Sequence, residues 1–301
     1  MARQKKVMKK LGFLSSASSS RELANPVAAF HSGMKSGGFV EGENVKVTYQ
    51  WAKHDSSQLP DLARKPVDAE VDVLAATGGL ASAQAAVEAA KKSTKRIRVV
   101  FVGGFDPVQA KLVDNVDRPS GDATGVTTST TECLPERLQL AKKLLGETTV
   151  AVLVKPNTVL GQLEAQKAGE APVLKASTEN ELKARFAEAK KKGYAVLVGA
   201  DAFFTSKRKK IVALAKQHGV PAIYPWREYV KAGGLMSYGP SLANAYRRAG
   251  VYVGQILDNP DCANPPVIHP HLEYAINLKT AKALGVKFPH DLLARATSVI
   301  E

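Results

Sequence analysis

Several short turns in this 301-residue chain carry groups suited to holding a small solute. They are Ser15 with Ser16, Thr77-Gly78-Gly79, Phe105-Asp106, Pro156-Asn157, the Asp201 turn with Phe203 and Phe204, the Trp226 turn, and Ser237-Tyr238-Gly239. The first two are rich in hydroxyls and glycine and stand before helix starts. Free backbone N–H groups and the helix dipole there suit a carboxylate or another anion. Ordinary turn and capping chemistry explains any one of these turns equally well. Asp106 and Asp201 could each pair with an ammonium group or cap the next helix. Asp106, followed by Pro107, reads as the cap, and Asp201, before Phe203-Phe204, as the better ligand group. Phe203, Phe204, Tyr224, Trp226 and Tyr238 could stack on an aromatic or apolar solute. Core burial is the competing reading, favoured for Tyr224 at a strand end. The candidate binding set is Ser15, Ser16, Thr77, Gly78, Phe105, Asp106, Asn157, Asp201, Phe203, Phe204, Trp226, Ser237 and Tyr238.

No reactive constellation accompanies these turns. The histidines at 31, 54, 218, 269, 271 and 290 have no partners at useful spacing, and His269-Pro-His271 is a weak metal signal. Gly-x-Ser-x-Gly, Walker A and Gly-x-Gly-x-x-Gly patterns are missing. Cys133 and Cys262 lack the spacing of a zinc site or a disulfide framework and read as free thiols. The expectation is a binder, with no catalytic residue, no metal and no cofactor.

The turns must be placed by a repeating order of strand, small-residue turn and helix. Strands are expected at 10–14, 44–50, 71–75, 97–102 and 125–128, then at 150–154, 172–175, 195–198, 220–224, 235–238 and 272–278. Asn25-Pro26 reads as a helix start, with Gly37-Gly38 as its stop. Pro66 is expected to end or kink the helix that begins at 59. A short helix is expected after Pro107. Further helices are expected at 80–90, 132–145, 177–192 (from a capping-box-like Ser177-Thr-Glu-Asn-Glu181), 206–217, 227–230 and from 242, with helical turns at 279–285 and 291–301. Such alternation argues for an α/β fold with parallel sheets covered on both faces. No flexible linker separates the two rounds of the pattern, and the last two pieces are too short for a domain. The chain is therefore expected to return to its first lobe and cross once more.

Composition narrows the class. Hydrophobic residues make up 45% and charged residues 23%, and no apolar run approaches the roughly 18–20 residues of a membrane span. The basic beginning lacks the apolar segment of a secretory signal, so nothing in the sequence as written exports it. The net charge of +14 is spread over amphipathic helices without a nucleic-acid motif, and no nucleic-acid partner is expected.

Longer stretches carry a family likeness: GFLSSASS (12–19), AAFHSGMKSGGFVEGENVKVTYQWA (28–52), VDVLAATGGLASAQAA (71–86), VVFVGGFDPV (99–108), RPSGDATGVT (118–127), LVGADAFF (197–204), AIYPWREYVKAGGLMSYGPSLANAYRRAGVYVGQIL (222–257) and INLKTAKALG (276–285). With these the chain resembles ABC-transporter substrate-binding proteins of the tryptophan/tyrosine group. The resemblance implies a periplasmic binding protein type I fold: two Rossmann-like lobes with parallel sheets, three crossovers, and a solute held between them. The N-terminal lobe is expected to comprise 8–127 with 241–271, and the C-terminal lobe 128–240 with 272–301. It further implies a periplasmic or cell-envelope location, ABC permease subunits in the membrane as partners, and a monomer that binds a small amino-acid-like, aromatic solute by hinge closure. Carried over by position, it points to the Ser15-Ser16 turn, Thr77-Gly78, Asp106 and Asp201. The alternative is the ligand-sensing core of a transcription regulator. That reading is weakened because only about ten residues precede the first strand, too few for a DNA-binding helix pair.

Overall fold

Apolar runs too short to be helices become the centre of two parallel sheets. The computed structural model describes residues 8–21, 23–128 and 130–301, and the basic start at 1–7 lies outside them. The chain forms two compact units, Met1–Thr128 with Leu242–Pro270 and Ser129–Ser241 with His271–Glu301. It passes between them at 128/129, 241/242 and 270/271.

The first unit begins with β1 (Lys9–Ser15), α1 (Ala24–Ser36), β2 (Val45–Trp51), α2 (Leu59–Asp68), β3 (Val73–Thr77), α3 (Leu80–Lys91), β4 (Arg98–Gly103) and β5 (Ala123–Thr127). Its five strands are parallel in the order β2-β1-β3-β4-β5. The second unit runs through α4 (Leu134–Leu145), β6 (Val150–Val154), α5 (Val159–Lys167), β7 (Val173–Lys175), α6 (Glu179–Lys192), β8 (Ala195–Val198), α7 (Ala202–Ser206), α8 (Arg208–His218), β9 (Ala222–Tyr224), α9 (Arg227–Lys231) and β10 (Met236–Pro240). Next, α10 (Leu242–Asp258) returns to the first unit, and β11 (Leu272–Asn277), α11 (Leu278–Leu284), α12 (His290–Ala294) and β12 (Ser298–Ile300) complete the second. The second sheet has the order β12-β11-β10-β9-β8-β6-β7 and is parallel except where β11 runs against β10. Strands β3, β4, β6 and β8 are buried at every residue, which is why they read as continuous apolar runs rather than alternating ones.

Several local expectations are corrected. Asn25 does not cap α1. The helix begins two residues earlier, at Ala24 with Leu23 at the cap, and Pro26 stands in the first turn, where a missing N–H costs nothing. Pro66 does not end α2, which continues to Asp68. Its buried ring lies over Gly12 of β1, where an added Cβ would come 2.7 Å from the proline Cβ. No helix follows Pro107. The chain makes turns tied by Ala110 N to Asp106 O and Leu112 N to Pro107 O, and the left-handed Lys111 ends them. The helix expected at 206–217 is α8, and a separate short helix, α7, precedes it, the two meeting at Lys207. Finally, 298–300 is a strand, not a helix, because Ser298, Val299 and Ile300 pair in register with Ala275, Ile276 and Asn277. The capping box is complete, with Thr178 as the cap and Glu181 reaching back to it.

Helix α10 is the long element of the first unit, and its apolar face, with Tyr246, Ala249, Val253 and Ile256, shares a core with Phe30 and Met34 of α1. Glycines allow the two helices to approach. A Cβ on Gly33 would lie 2.0 Å from the Arg247 carbonyl oxygen, and one on Gly250 would lie 2.0 Å from that of Phe30. Backbone cannot move aside as a side-chain tip can, so Gly250→Ala is expected to destabilise the first unit by about 1–3 kcal/mol. A lowered thermal midpoint in calorimetry checks this; an unchanged midpoint would show that the helices have room to separate.

Candidate functional site

Both sheets share one feature of topology. In the first, strand order reverses beside β1, with β2 on one side and β3 on the other; in the second it reverses beside β6, with β7 and β8. Crevices beyond the carboxyl ends of strands form at such reversals, because the connections leave in opposite directions. The sequence-predicted residues divide between the two ends.

At the first reversal, Ser15 ends β1 and stands in register with Thr77, the last residue of β3. The following residues join the strands: Ser16 N donates to Thr77 O at 3.4 Å, and Ser16 Oγ donates to Gly78 O at 2.7 Å. Gly78 has φ +88°, and a Cβ there would sit 2.2 Å from Ser16 Oγ, so both the backbone conformation and the serine contact require glycine. Ser15 Oγ accepts from Ala17 N. Helix α3 then starts with Gly79 at its cap, with no side-chain cap and no acid in its first turn. This end therefore offers the amides at the start of α3 with no acid in the first turn, while the Ser16 hydroxyl proton is held by Gly78 O.

One strand further along, Phe105 and Asp106 do not join that cluster. The Phe105 ring packs in the core on Phe101 with centroids 5.4 Å apart. Asp106 is exposed, and its Oδ1 accepts from Val108 N and Gln109 N as a turn cap.

At the second reversal, Asp201 follows β8 and Lys155 follows β6. Asp201 is 8% exposed. Its Oδ1 accepts from Phe203 N at 2.8 Å, capping α7, and lies 3.8 Å from Lys155 Nζ. The same ammonium stands 5.7 Å from the centroid of the Phe203 ring. A cation thus already lies close to both the carboxylate and the aromatic face. Phe203 keeps exposed surface, whereas Phe204 is fully buried. Asn157 is exposed in a left-handed turn just beyond Lys155.

The remaining aromatics are more buried than their loop positions suggest. Trp226 is inside, its Nε1 donating to Thr205 Oγ1 at 3.1 Å. Tyr238 lies in the β10 core, its hydroxyl donating to Glu136 Oε2 at 2.7 Å, and burial first, with Glu136 second, pushes the phenol up to about 12. Its neighbour Ser237 is buried as well. Tyr224 is core, stacked on Tyr229 at 4.7 Å.

Beneath the Asp201 turn lies a pair that the sequence reading missed. Arg137 of α4 and Glu164 of α5 are both 0% exposed. Arg137 Nη2 donates to Thr130 O at 2.8 Å and Nη1 to Val198 O at 3.4 Å. Glu164 Oε1 accepts from Ala200 N at 2.8 Å, and Oε2 has no partner. Gly199 between them has no room for a side chain, since a Cβ would come 2.3 Å from Glu164 Oε2. Arginine and glutamate therefore grip the backbone on both sides of Gly199 and fix where Asp201 emerges. Burial raises the Glu164 carboxyl to about 7, against the attraction of Arg137 and the Ala200 N–H, and the nearby Asp201 charge adds to the rise. Burial likewise lowers Arg137. As a guanidinium, Arg137 is the cation of the pair. Lys155 was open to discovery as the residue after an apolar strand. Glu164 sits among polar helix residues, and nothing in its sequence context marks it as buried.

Residues 19–300 match the family model described as ABC transporter substrate binding protein. The chain belongs to this family. It is 26% identical over 260 residues to a tyrosine-binding protein of Clostridioides difficile (strain R20291), covering 83% of this chain and 73% of that one. Among solved structures it resembles a conserved domain protein from Vibrio cholerae, with TM-score 0.82, 24% identity, and coverage of 97% of this chain and 99% of that one. It also resembles an ABC domain from Streptococcus pneumonia in complex with L-Trp, with TM-score 0.79, 22% identity, and coverage of 97% and 100%. The fold of this substrate-binding protein is that of the type I periplasmic binding proteins. Among the described residues, no helix is long and apolar enough to cross a membrane.

The buried glutamate has a consequence for stability. Its folded-state titration lies near 7, above the ordinary 4.5, so the folded protein binds more protons between those values. The contribution is therefore full below 4.5 and is lost as pH rises through 7. Urea unfolding at about pH 5.5 and about pH 8 should show a larger loss of stability at the higher pH for the wild type than for Glu164→Gln. Equal losses in the two proteins would place the Glu164 titration at an ordinary value.

Proposed function

We propose that this protein is the extracytoplasmic receptor of an ABC importer, located in the periplasm or cell envelope, and that its solute is an amino acid with an aromatic side chain. The family match over residues 19–300 carries the receptor reading. The tyrosine-binding relative and the L-Trp complex support the choice of solute. The two units close on the solute, and the closed form engages permease subunits in the membrane. Such closure is a population shift driven by tighter binding to the closed state.

In this assignment the solute carboxylate meets the turns of Ser15, Ser16, Thr77 and Gly78, and the start of α3. The ammonium meets Asp201, whose two protein contacts both fall on Oδ1, leaving Oδ2 for a donor. Phe203 is the aromatic of the candidate set that keeps exposed surface for the solute ring. Phe204 packs against Phe203 with centroids 5.7 Å apart, and Trp226 ties to α7 through Thr205. Lys155 is the competing feature. At 3.8 Å it is an ion pair beyond hydrogen-bond length, so the solute ammonium displaces it rather than sharing a bonded lysine.

Asp201→Asn separates these roles, because asparagine is also a good helix cap and keeps α7 intact. Removal of the charge should weaken L-tyrosine or L-tryptophan binding about 30-fold, near 2 kcal/mol, and leave the deaminated analogue indole-3-propionate unaffected. Normal amino-acid binding by the variant would remove Asp201 from the ammonium site. Lys155→Gln supplies the orientation: tighter binding fits an ammonium at Asp201. Weaker binding would mean that Lys155 holds the solute carboxylate and that the solute lies the other way round. Titration calorimetry reads both variants.

A further inference from the structure

The net charge of +14 is not needed by the solute site, and part of it is concentrated on one face of the second unit. Helices α6 and α8 pack together there. Glu179 at the start of α6 pairs at 2.7 Å with Lys207, the residue before α8. A Cβ on Gly219, the residue after α8, would lie 3.9 Å from Lys190 Nζ near the end of α6. Matching starts and matching ends make the two helices parallel neighbours. Their outward positions carry exposed Lys183, Lys190 and Lys191 from α6 and Lys209, Lys210 and Lys216 from α8. Helix α8 has no acid, and the three acids of α6 are engaged elsewhere. Glu179 is bonded to Lys207, Glu181 to the backbone of its own capping box, and Glu188 to Arg185 and Lys192 at 2.7 and 2.9 Å. Lys183 and Lys210 converge on Glu179 from the two helices without a bond to it.

Helix electrostatics accounts for only part of this charge. Lys190 and Lys191 stand in the last turn of α6, where the dipole favours cations. Lys209 and Lys210 stand in the first turn of α8, where the dipole opposes cations and no acid offsets them. We infer that the outward face of α6 and α8 docks on the anionic phospholipid headgroups of a bilayer surface. The eleven residues of α8 alone spread the charge over roughly 16 Å, which suits an array of phosphates rather than a single one. All six groups are lysines, hydrated point charges without the planar fork by which arginine grips one phosphate in two bonds. Between them the exposed positions are Ala184, Ala187, Ala213 and Gln217. These supply neither a large apolar group to enter the bilayer nor a ring on which nucleic-acid bases would stack. The association is therefore peripheral, electrostatic and weakened by salt. It goes beyond the receptor reading and is independent of which solute binds.

Co-sedimentation with vesicles of phosphatidylcholine, alone or with about 30% phosphatidylglycerol, tests the inference. The protein should bind the anionic vesicles at about 50 mM salt, lose that binding by about 500 mM, and ignore the neutral vesicles. A variant with Lys183→Gln, Lys190→Gln, Lys209→Gln and Lys210→Gln should bind about a hundredfold more weakly, each lysine at an anionic surface being worth about fivefold. A control with Lys35→Gln, Lys46→Gln, Lys65→Gln and Lys92→Gln removes the same charge from exposed positions of the first unit, and should stay within about threefold of the wild type. Unchanged thermal midpoints show that both variants are folded, and the lipid and salt dependence of the wild type stands without either. No binding of the wild type to the anionic vesicles would overturn the inference. Equal loss in the two variants would also overturn it, by assigning the attraction to net charge rather than to this face. Tighter retention by a uridine RNA homopolymer than by the vesicles, lost in the α6/α8 variant, would assign the face to nucleic acid instead.

Discussion

The reversal of strand order in each sheet is the constraint from which the rest follows. Parallel strands need crossover helices, and a helix connection leaves the sheet with a fixed hand. Where the order turns back on itself, at β1 in one unit and β6 in the other, the chain leaves on opposite faces and the strand ends stand uncovered. Each unit treats that opening differently. The first fills it with hydroxyls, a left-handed glycine and the amide end of α3. The second fills it with a carboxylate, a lysine and a half-exposed phenylalanine. The first end presents helix amides, and the second a carboxylate, an ammonium and an aromatic ring.

A buried charge pair underlies the second end. Isolated burial of Arg137 or Glu164 would be strongly unfavourable, and a pair is rarely a net gain over apolar packing. What the pair contributes is placement. Its donors and acceptors take backbone groups at Thr130, Val198 and Ala200, which close around Gly199. A side chain at 199 would collide with the glutamate, and an apolar residue at 164 would leave Ala200 N without its acceptor. The turn that carries Asp201 is thus specified from below by residues far away in the chain.

Much of this was open to a reader of the sequence alone. Apolar runs of five residues such as VAVLV at 150–154 cannot be satisfied except as strands buried on both faces, and the turns that follow them lie at strand ends. Asp201 as cap and candidate ligand group, Ser15-Ser16 and Thr77-Gly78 as hydroxyl- and glycine-rich turns, and Thr178 with Glu181 as a helix start all follow from local chemistry. Local signals failed where a neighbour from elsewhere in the chain decided the outcome. Pro66 stays within α2 because its ring has a place over Gly12, and 298–300 is a strand because β11 offers an open edge.

The sequence by itself determined that apolar runs such as 150–154 and 195–198 are strands with turn residues such as Asp201 after them, since that depends on short-range patterning. The expected turn at Ser237-Tyr238-Gly239, by contrast, lies inside β10. Burial of those residues was decided by tertiary structure. Trp226 and Tyr238 lie on apparently open turns, yet Thr205 and Glu136 accept their polar tips and let the rings enter the core. Glu164 has the sequence context of a surface residue and is wholly enclosed. The physical reason is common to all three: a polar group can be buried wherever a partner waits for it, and the partner's position is set by packing between elements, which no local pattern encodes.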